Sequence, residues 1–199
     1  MVLFTEINSH TLTKYMSKKT FLREFLREKK TVGSITPSSR FLASKMIDNL
    51  DFSSVKVVVE IGPGTGVFTR RILRKLPEKV LFLVLELNEE FYEKLNIEFT
   101  ENNVKLIHDS AENLLSHLNH FGFENADIIV SSLPLSNMDE NVRNLILKTT
   151  VESLKTEGKF IQFQYSLQAK KELKKWFSRV TIKFTALNVP PAFVYTCTK

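Results

Sequence analysis

The chain has 199 residues and a formal net charge of +6, with 43% hydrophobic and 25% charged residues. This length suits one domain with a sizeable core, because domains cluster at roughly 100–150 residues and α/β domains run larger. Cys197 is the only cysteine, which excludes a disulfide framework and a multi-cysteine metal site, and we expect no metal. Apolar runs such as residues 80–85 are far below the ~20 residues that span a bilayer, and no secretory signal is evident, so we expect a cytoplasmic location.

The positive charge is concentrated near the N-terminus. Residues 1–50 hold nine Lys or Arg and four Asp or Glu, so the rest of the chain contributes only +1. Residues 12–30 have helical periodicity, with an apolar stripe flanked by cations. The stripe and the cations that begin it are Lys18, Lys19, Phe21, Leu22, Phe25 and Leu26. This pattern favours an anionic partner, either a membrane surface or nucleic acid; a solubilising face, or packing of the stripe on the core, is the alternative.

The chain then alternates between helices and strands. Gly33 and Pro37 interrupt it, and Ser38 or Ser39 is expected to cap a helix that runs to about Leu50. Helices are predicted over residues 68–76, 89–103, 111–118, 139–154 and 168–177. Strands are predicted over residues 55–61, 80–87, 104–108, 126–131, 158–165, 180–187 and 193–198.

These elements predict an α/β fold with a Rossmann-like, doubly wound sheet. Continuous apolar runs are typical of strands buried on both faces of a parallel sheet. The last two strands have no helix between them, so one of the seven strands is expected to be antiparallel. We therefore predict an N-terminal basic arm and lid over residues 1–50, followed by one globular domain over residues 51–199.

A glycine-rich loop follows the first predicted strand. Glu60 ends that strand, and Gly62, Pro63, Gly64 and Gly66 lead into a helix. Glycines allow a tight turn and a close approach of the backbone to a ligand. The loop therefore predicts a nucleotide-type cofactor site, although Glu60 by itself also fits a residue that binds loop amides.

Acidic residues follow the next two strands. Glu86 lies 20 residues beyond the last glycine, where a carboxylate can accept hydrogen bonds from ribose hydroxyls. Asp109 ends the third strand, where it can accept one from an adenine amino group. Each residue also fits a helix-capping role when taken singly. Carboxyl ends of strands are where open α/β sheets bind ligands, so together these residues indicate a cofactor.

The acidic residue and the G-x-G-x-G spacing resemble motif I of class I methyltransferases, whereas NAD and FAD sites use G-x-G-x-x-G. This resemblance implies S-adenosyl-L-methionine as the cofactor, with Glu60 near its methionine moiety. It also implies a cofactor site that includes a lid before the domain and residues after each of three strands. These further residues are Thr36, Ser38, Ser39, Leu87, Ser110 and Ala111.

Three other segments resemble bacterial phospholipid N-methyltransferases, which are similar to ribosomal RNA adenine dimethylases. They are V-G-S-I-T-P-S-S at residues 32–39, S-S-L-P-L at residues 131–135 and N-V-P-P-A at residues 188–192. The RNA enzymes have an Asn or Asp in the second segment and an aromatic residue after its proline. Here serines replace the amide and Leu135 replaces the ring, so no platform remains for stacking a flipped base.

The resemblance implies methylation of phosphatidylethanolamine toward phosphatidylcholine at the inner face of the cell membrane. Ser131, Leu133 and Pro134 would then form the floor beneath the amine, and Tyr165 would contact the headgroup. The basic N-terminal helix would lie in the headgroup region of an anionic bilayer. An enzyme acting on RNA adenine or on a soluble amine, and a non-catalytic module that retains the cofactor fold, stay open. No obligate protein partner is indicated.

Overall fold

The computed structural model describes residues 37–199, in which helices and strands alternate. The helices are α1 (Pro37–Ile47), α2 (Val67–Leu73), α3 (Glu89–Glu98), α4 (Leu114–His120), α5 (Glu140–Ser153) and α6 (Ala169–Trp176). The strands are β1 (Val57–Ile61), β2 (Leu81–Leu85), β3 (Val104–Ile107), β4 (Ala126–Ser131), β5 (Leu154–Gln164), β6 (Arg179–Thr185) and β7 (Ala192–Thr198). Short 3₁₀ turns at Ala111–Asn113 and Leu135–Asn137 follow β3 and β4.

The seven strands form one sheet in the order β3-β2-β1-β4-β5-β7-β6. Strands β1 to β5 are parallel, and β7 is antiparallel to both of its neighbours. The predicted Rossmann-like sheet with one antiparallel strand is confirmed. Because β7 reverses direction between β5 and β6, the carboxyl end of β6 lies at the same edge of the sheet as those of β1 to β5.

Helices cover both faces of the sheet and bury its apolar side chains. On one face α1, α2 and α3 pack over residues such as Val58 and Val84. On the other face α4, α5 and α6 pack over residues such as Val59 and Ile129. Every residue of β1 and β4 is buried, which explains why their sequences do not alternate. The carboxyl edge of these strands is not covered by the helices and carries several polar side chains, among them Glu60 and Ser131.

Helix α1 begins two or three residues earlier than predicted. Pro37 is its first residue, a position that tolerates proline because the missing N–H would lack a helical partner in any case. Ser38 and Ser39 therefore lie inside the helix, and the prediction that one of them caps it is wrong. Leu42, Ala43, Met46 and Ile47 are buried in the core. Helix α1 therefore packs on the core of the domain that we expected to start at residue 51.

Among the other elements, the largest shifts of a boundary are at the end of α3 and at the start of β5. Helix α3 ends at Glu98 rather than 103, because the backbone of Phe99 is extended and its ring is buried. Strand β5 begins at Leu154 rather than 158, because Leu154 pairs with Ala126 across an irregular step in the ladder. Both differences arise from contacts with distant residues, which local periodicity does not record.

Candidate cofactor and acceptor site

The glycine-rich loop leaves β1 at the carboxyl edge of the sheet. The amide of Gly62 donates to the carbonyl of Leu85 on β2 at 2.9 Å, and that of Gly66 donates to Pro63 at 3.1 Å. Gly62, Gly64 and Gly66 all have a positive φ, between 58° and 76°. The loop is thus a tight turn pinned to the neighbouring strand, as its sequence predicts.

Two of these glycines have opposite surroundings. A Cβ on Gly64 would meet no atom within 4 Å, so this part of the backbone faces open space. A Cβ on Gly66 would lie 2.8 Å from Leu95 and 3.1 Å from Phe99, inside the core. Gly64 therefore allows a ligand to approach the backbone, whereas Gly66 allows α2 to pack closely on α3.

Glu86 is buried beside the open side of this loop. One of its carboxylate oxygens accepts a hydrogen bond from the amide of Gly64 at 3.0 Å, and the other accepts one from Asn88 at 2.8 Å. These two backbone amides orient the carboxylate at the carboxyl edge of the sheet. This arrangement fits a residue that receives two ribose hydroxyls.

Glu60 is completely buried at the end of β1. Neither of its carboxylate oxygens has a hydrogen-bond partner of good geometry among residues 37–199. The buried hydroxyl of Thr69 also lacks such a partner among these residues. Burial raises the pKa of Glu60 to about 8; Thr69 on α2 lowers it by a smaller amount and the Glu86 carboxylate raises it further. Buried polar atoms without partners indicate a missing ligand group, and the methionine ammonium of the cofactor has the charge and donors to supply it.

Replacement of Glu60 with Gln is expected to make the stability of the ligand-free protein fall less as the pH rises from 5 to 8. The folded carboxyl keeps its proton up to about pH 8, whereas the unfolded one releases it near pH 4.5. The unfolded state is therefore favoured as pH rises through that window, and wild-type stability falls there. The melting temperature of Glu60→Gln relative to wild type should increase from pH 5 to pH 8, measured by circular dichroism. A difference that does not change with pH would contradict the assignment.

The third acidic residue already has several partners within its own loop. Asp109 accepts hydrogen bonds from the amide of Ser110 at 2.7 Å, from Asn113 at 3.0 Å and from His117 at 2.7 Å. Burial raises its pKa, but the hydrogen bonds, that of His117 first, outweigh this and hold the pKa below the ordinary value. Its contact with an adenine amino group stays a prediction.

The remaining predicted residues of the adenosine side lie next to Asp109 or Glu86. The hydroxyl of Ser110 accepts from the amide of Glu112 at 3.3 Å and caps the first 3₁₀ turn. Ala111 is buried, and Leu87 is exposed beyond the end of β2. The exposed Leu87 side chain offers an apolar surface to an adenine ring at this edge.

The Ser131–Leu135 loop follows β4 and lies beside the glycine-rich loop. Its backbone is joined to β1 by a hydrogen bond from the amide of Ser132 to the carbonyl of Ile61 at 3.0 Å. The hydroxyl of Ser131 accepts from the amide of Leu133 at 3.2 Å, so it shapes the loop. The hydroxyl of Ser132 is buried and has no partner among the described residues. Ser132, which sequence reasoning passed over, is therefore the serine with a hydrogen bond still to make.

Two glutamines of β5 hold this loop, and the sequence prediction missed both. The side-chain amides of Gln162 and Gln164 each donate to the carbonyl of Leu133 at 2.9 Å, and the amide of Leu135 donates to it as well. A carbonyl oxygen has two lone pairs, and three N–H groups already donate to this one. It therefore cannot accept a further hydrogen bond from the amine that receives the methyl group. The signal available in the sequence was two polar residues, two apart, at the end of a strand that is otherwise buried.

We expect Gln164→Ala to slow methyl transfer by about 10- to 100-fold, because displacement of a substrate-positioning loop by about 1 Å has effects of this size. Gln164 also accepts from the hydroxyl of Ser136 at 3.1 Å, so the substitution frees the loop at two points. The matched control is Gln168→Ala, at an exposed glutamine with no recorded side-chain hydrogen bond. Steady-state assays would show a lower kcat with unchanged cofactor affinity. Equal activity of the two variants would exclude a positioning role.

Tyr165 follows β5 directly and is 54% exposed. Its ring packs edge-on against Phe163, with centroids 5.6 Å apart. Burial of the hydroxyl raises the pKa of Tyr165, and a hydrogen bond with the side chain of Asn188 opposes this. The phenol is therefore protonated at neutral pH, which suits contact with a headgroup better than removal of a proton.

Several predicted site residues lie outside the described part of the chain. They are Thr36 and all six residues of the proposed membrane helix, Lys18, Lys19, Phe21, Leu22, Phe25 and Leu26. Ser38 and Ser39 are placed only as backbone in α1. Within residues 37–199, no cluster of His, Cys, Asp and Glu is arranged to hold a metal ion, and no helix has the length and hydropathy to cross a bilayer.

Comparisons with known proteins identify the family of this chain. Residues 15–114 match the family described as ribosomal RNA adenine dimethylase. An ornithine lipid N-methyltransferase from Singulisphaera acidiphila is 28% identical over 89% of this chain and 93% of its own length. Ribosomal RNA small subunit methyltransferase A from Mycoplasma capricolum is 28% identical over 52% of this chain, which covers only 39% of that enzyme.

Solved structures show the same fold at low sequence identity. The 1,6-didemethyltoxoflavin-N1-methyltransferase of Burkholderia thailandensis, with S-adenosylhomocysteine bound, superposes with a TM-score of 0.70 at 14% identity, covering 99% of this chain and 93% of its own. The N-methyltransferase NodS of Bradyrhizobium japonicum gives 0.65 at 14% identity, covering 83% and 98%. The predicted cofactor, S-adenosyl-L-methionine, is confirmed. The chain belongs to the ribosomal RNA adenine dimethylase family, and it is an S-adenosyl-L-methionine-dependent methyltransferase of the class I fold.

Proposed function

We propose that the protein transfers methyl groups from S-adenosyl-L-methionine to the primary amine of a membrane lipid, with phosphatidylethanolamine as the expected substrate. The observation that carries this proposal is the environment of Leu135. The motif of the RNA enzymes has an aromatic residue at this position, whereas this leucine is 1% exposed and packs into the core. The loop therefore has no ring on which to stack an extruded adenine, and it suits a small aliphatic amine.

The similarity to a lipid-modifying relative supports the same substrate class. The Singulisphaera acidiphila enzyme, whose name gives ornithine lipid as its substrate, matches over nearly its whole length, whereas the ribosomal RNA enzyme matches over less than half of its own. Ornithine lipid also carries a free amine. It is therefore the second candidate, and the two lipids differ in the headgroup that the site must accommodate.

The residues of this chain would act by orientation and by excluding water. The cofactor supplies a methyl group already activated on a sulfonium, so the protein must align the amine with it and remove competing solvent. Gly64, Glu60 and Glu86 would hold the cofactor at the ends of β1 and β2. The Ser131–Leu135 loop, fastened by Gln162 and Gln164, would form the floor under the amine.

Two groups remain for the amine itself. The unpartnered hydroxyl of Ser132 can accept a hydrogen bond within the loop. The exposed ring of Tyr165 can attract the increasingly cationic nitrogen as methyl groups are added, by ~0.5–2 kcal/mol. Lipid substrates stay in the bilayer, so the enzyme would be a peripheral protein of the cytoplasmic membrane face. The basic helix predicted over residues 12–30 would contribute to this attachment.

The test is methyl transfer by the full chain from labelled S-adenosyl-L-methionine. Vesicles of phosphatidylglycerol with phosphatidylethanolamine, with ornithine lipid or with phosphatidylcholine would be compared with unmodified ribosomal RNA. We expect label in phosphatidylethanolamine, and none in phosphatidylcholine because its nitrogen is already quaternary. Label confined to ornithine lipid would move the assignment to the second headgroup. Label confined to RNA, or no transfer at all, would overturn the proposal.

A further inference from the structure

Most of the exposed large apolar side chains of the described chain lie on three neighbouring segments. Nine such residues are exposed in residues 37–199, and six of them belong to α1, to the bend after β5 and to the end of the β6–β7 hairpin. We call these six the apolar rim: Phe41, Tyr165, Leu167, Phe184, Leu187 and Val189. Their exposed fractions range from 48% to 80%, which is costly for side chains of this kind unless something covers them.

The three segments of the rim are in contact with one another. Phe41, Phe184 and Leu187 line one open groove of about 410 Å³ between α1 and the hairpin. On the other side, Tyr165 directly follows Gln164, which pairs with Phe193 of β7, and the Phe193 ring packs against that of Phe184 with centroids 5.2 Å apart. The rim is therefore one continuous surface rather than six isolated side chains.

The hairpin tip is stiff. The side-chain amide of Asn188 donates to the carbonyl of Pro190 at 2.6 Å, and a second proline follows. The bend after β5 is held as well, because the hydroxyl of Tyr195 donates to the carbonyl of Ser166 at 3.0 Å. Because the hairpin tip and the bend are already ordered, they lose little conformational entropy when they bind a partner.

The rim begins next to the proposed acceptor site. Tyr165 directly follows Gln164, whose amide is bound to the Leu133 carbonyl at 2.9 Å. The hairpin tip joins the carboxyl end of β6 to β7, and that end lies at the same edge of the sheet as the cofactor loop. A lipid amine placed at the loop would have its acyl chains leaving over the rim.

The chain segment that contains the bend after β5 and the hairpin tip is basic, which is complementary to an anionic surface. Residues 165–191 contain six Lys or Arg and a single Glu. Four of these lysines, Lys170, Lys171, Lys174 and Lys183, are exposed and form no ion pair with another described residue. The one carboxylate lining the groove, Asp48, is already paired with Arg71 and Lys75.

From these observations we propose that the apolar rim inserts into the headgroup region of an anionic lipid bilayer, with the surrounding lysines on the lipid phosphates. The inference rests on the proposed function, because it explains how a lipid amine reaches the site without leaving the membrane. It adds a membrane contact formed by the catalytic domain itself, beyond the basic helix predicted over residues 12–30. The hairpin tip carries the aliphatic side chains Leu187 and Val189, which offer no stacking surface to nucleic acid, so lipid is the favoured partner of this part of the rim.

The test uses charge insertion at the rim in the full chain. Leu187→Asp and Val189→Asp place a carboxylate where a bilayer would be. The matched control is Ile97→Asp, because Ile97 is as exposed as Val189, 80% in each case, but lies on α3 towards the opposite edge of the sheet. All three positions are on the surface, so the melting temperatures should stay close to that of wild type.

Binding is measured by sedimentation with vesicles of phosphatidylcholine containing phosphatidylglycerol. We expect each rim variant to bind at least about 10-fold more weakly than wild type, and Ile97→Asp to bind equally well, with weaker binding of wild type in high salt. Equal binding of rim variants and control, or no vesicle binding by wild type, would overturn the inference. It would also be overturned if the same substitutions weakened binding to ribosomal RNA instead of vesicles.

A second assay separates this inference from the proposed function. Rim variants should retain methyl transfer to a short-chain phosphatidylethanolamine dissolved as monomers, and lose at least about 10-fold with the same headgroup in vesicles. If wild type methylates neither form of the lipid while vesicle binding still depends on the rim, the proposed substrate is wrong. The proposal that the rim binds the bilayer would then still hold. If the rim variants lose activity equally on both forms, these residues serve the site and not the membrane.

Discussion

Glu86→Gln is expected to weaken binding of S-adenosyl-L-methionine by at least about 100-fold. A hydrogen bond to a charged acceptor is worth about 1.5–3 kcal/mol, and loss of the carboxylate weakens two of them to the ribose. The side-chain amide would also turn an N–H toward either Gly64 or Asn88, whose own amides now donate to Glu86. Calorimetric titration with S-adenosylhomocysteine measures the change directly.

The control for this variant is Glu89→Gln, which makes the same change of charge at an exposed position in the first turn of α3. It should bind the cofactor product as wild type does. If Glu86→Gln binds with unchanged affinity, the ribose assignment is wrong. A large fall in melting temperature without ligand would instead indicate that the two backbone amides were the main role of the carboxylate.

Gly64→Ala is expected mainly to weaken cofactor binding, whereas Gly66→Ala is expected mainly to lower the stability of the fold. Both residues have a positive φ, so an alanine costs about 1–2 kcal/mol of backbone strain at either position. At Gly66 the new methyl would also press on the buried Leu95 and Phe99, adding about 1–3 kcal/mol. At Gly64 it would enter open space, and that is where we expect the cofactor to approach the backbone.

Melting temperatures and cofactor titrations together separate the two effects. Gly66→Ala should melt several degrees below Gly64→Ala, because 1 kcal/mol corresponds to about 2–4 °C in a protein of this size. Gly64→Ala should remain folded and bind S-adenosylhomocysteine at least about 10-fold more weakly than wild type. Normal binding by Gly64→Ala would show that this side of the loop does not face the cofactor.

Much of the fold followed from local patterns because each pattern has a local physical cause. Buried parallel strands such as β1 and β4 read as continuous apolar runs, since both of their faces are covered. The glycine spacing at residues 62–66 required a tight turn before any contact was known. The acidic residues after β1 and β2 then lay at one edge, as the connection rules for parallel sheets require.

Other features depended on which strands became neighbours. Gln162 and Gln164 are far from Leu133 in sequence and meet it only because β5 lies next to β4. Helix α1 joined the core rather than the N-terminal arm, since its apolar side chains cover one face of the sheet. The position of Ser132, buried and without a partner, likewise follows from the path of the loop between β1 and β4.

By itself, therefore, the sequence determined the strand and helix order, the cofactor and the family, because those depend on periodicity, glycine positions and motif spacing. Only the tertiary structure decided what surrounds the acceptor: a loop whose Leu133 carbonyl is already saturated, and an exposed apolar rim assembled from α1, the bend after β5 and the β6–β7 hairpin. Gln162 and Gln164 are 29 and 31 residues from Leu133, and α1 is more than a hundred residues from the other two segments of the rim. Their proximity is created by sheet pairing and helix packing, which no local pattern specifies.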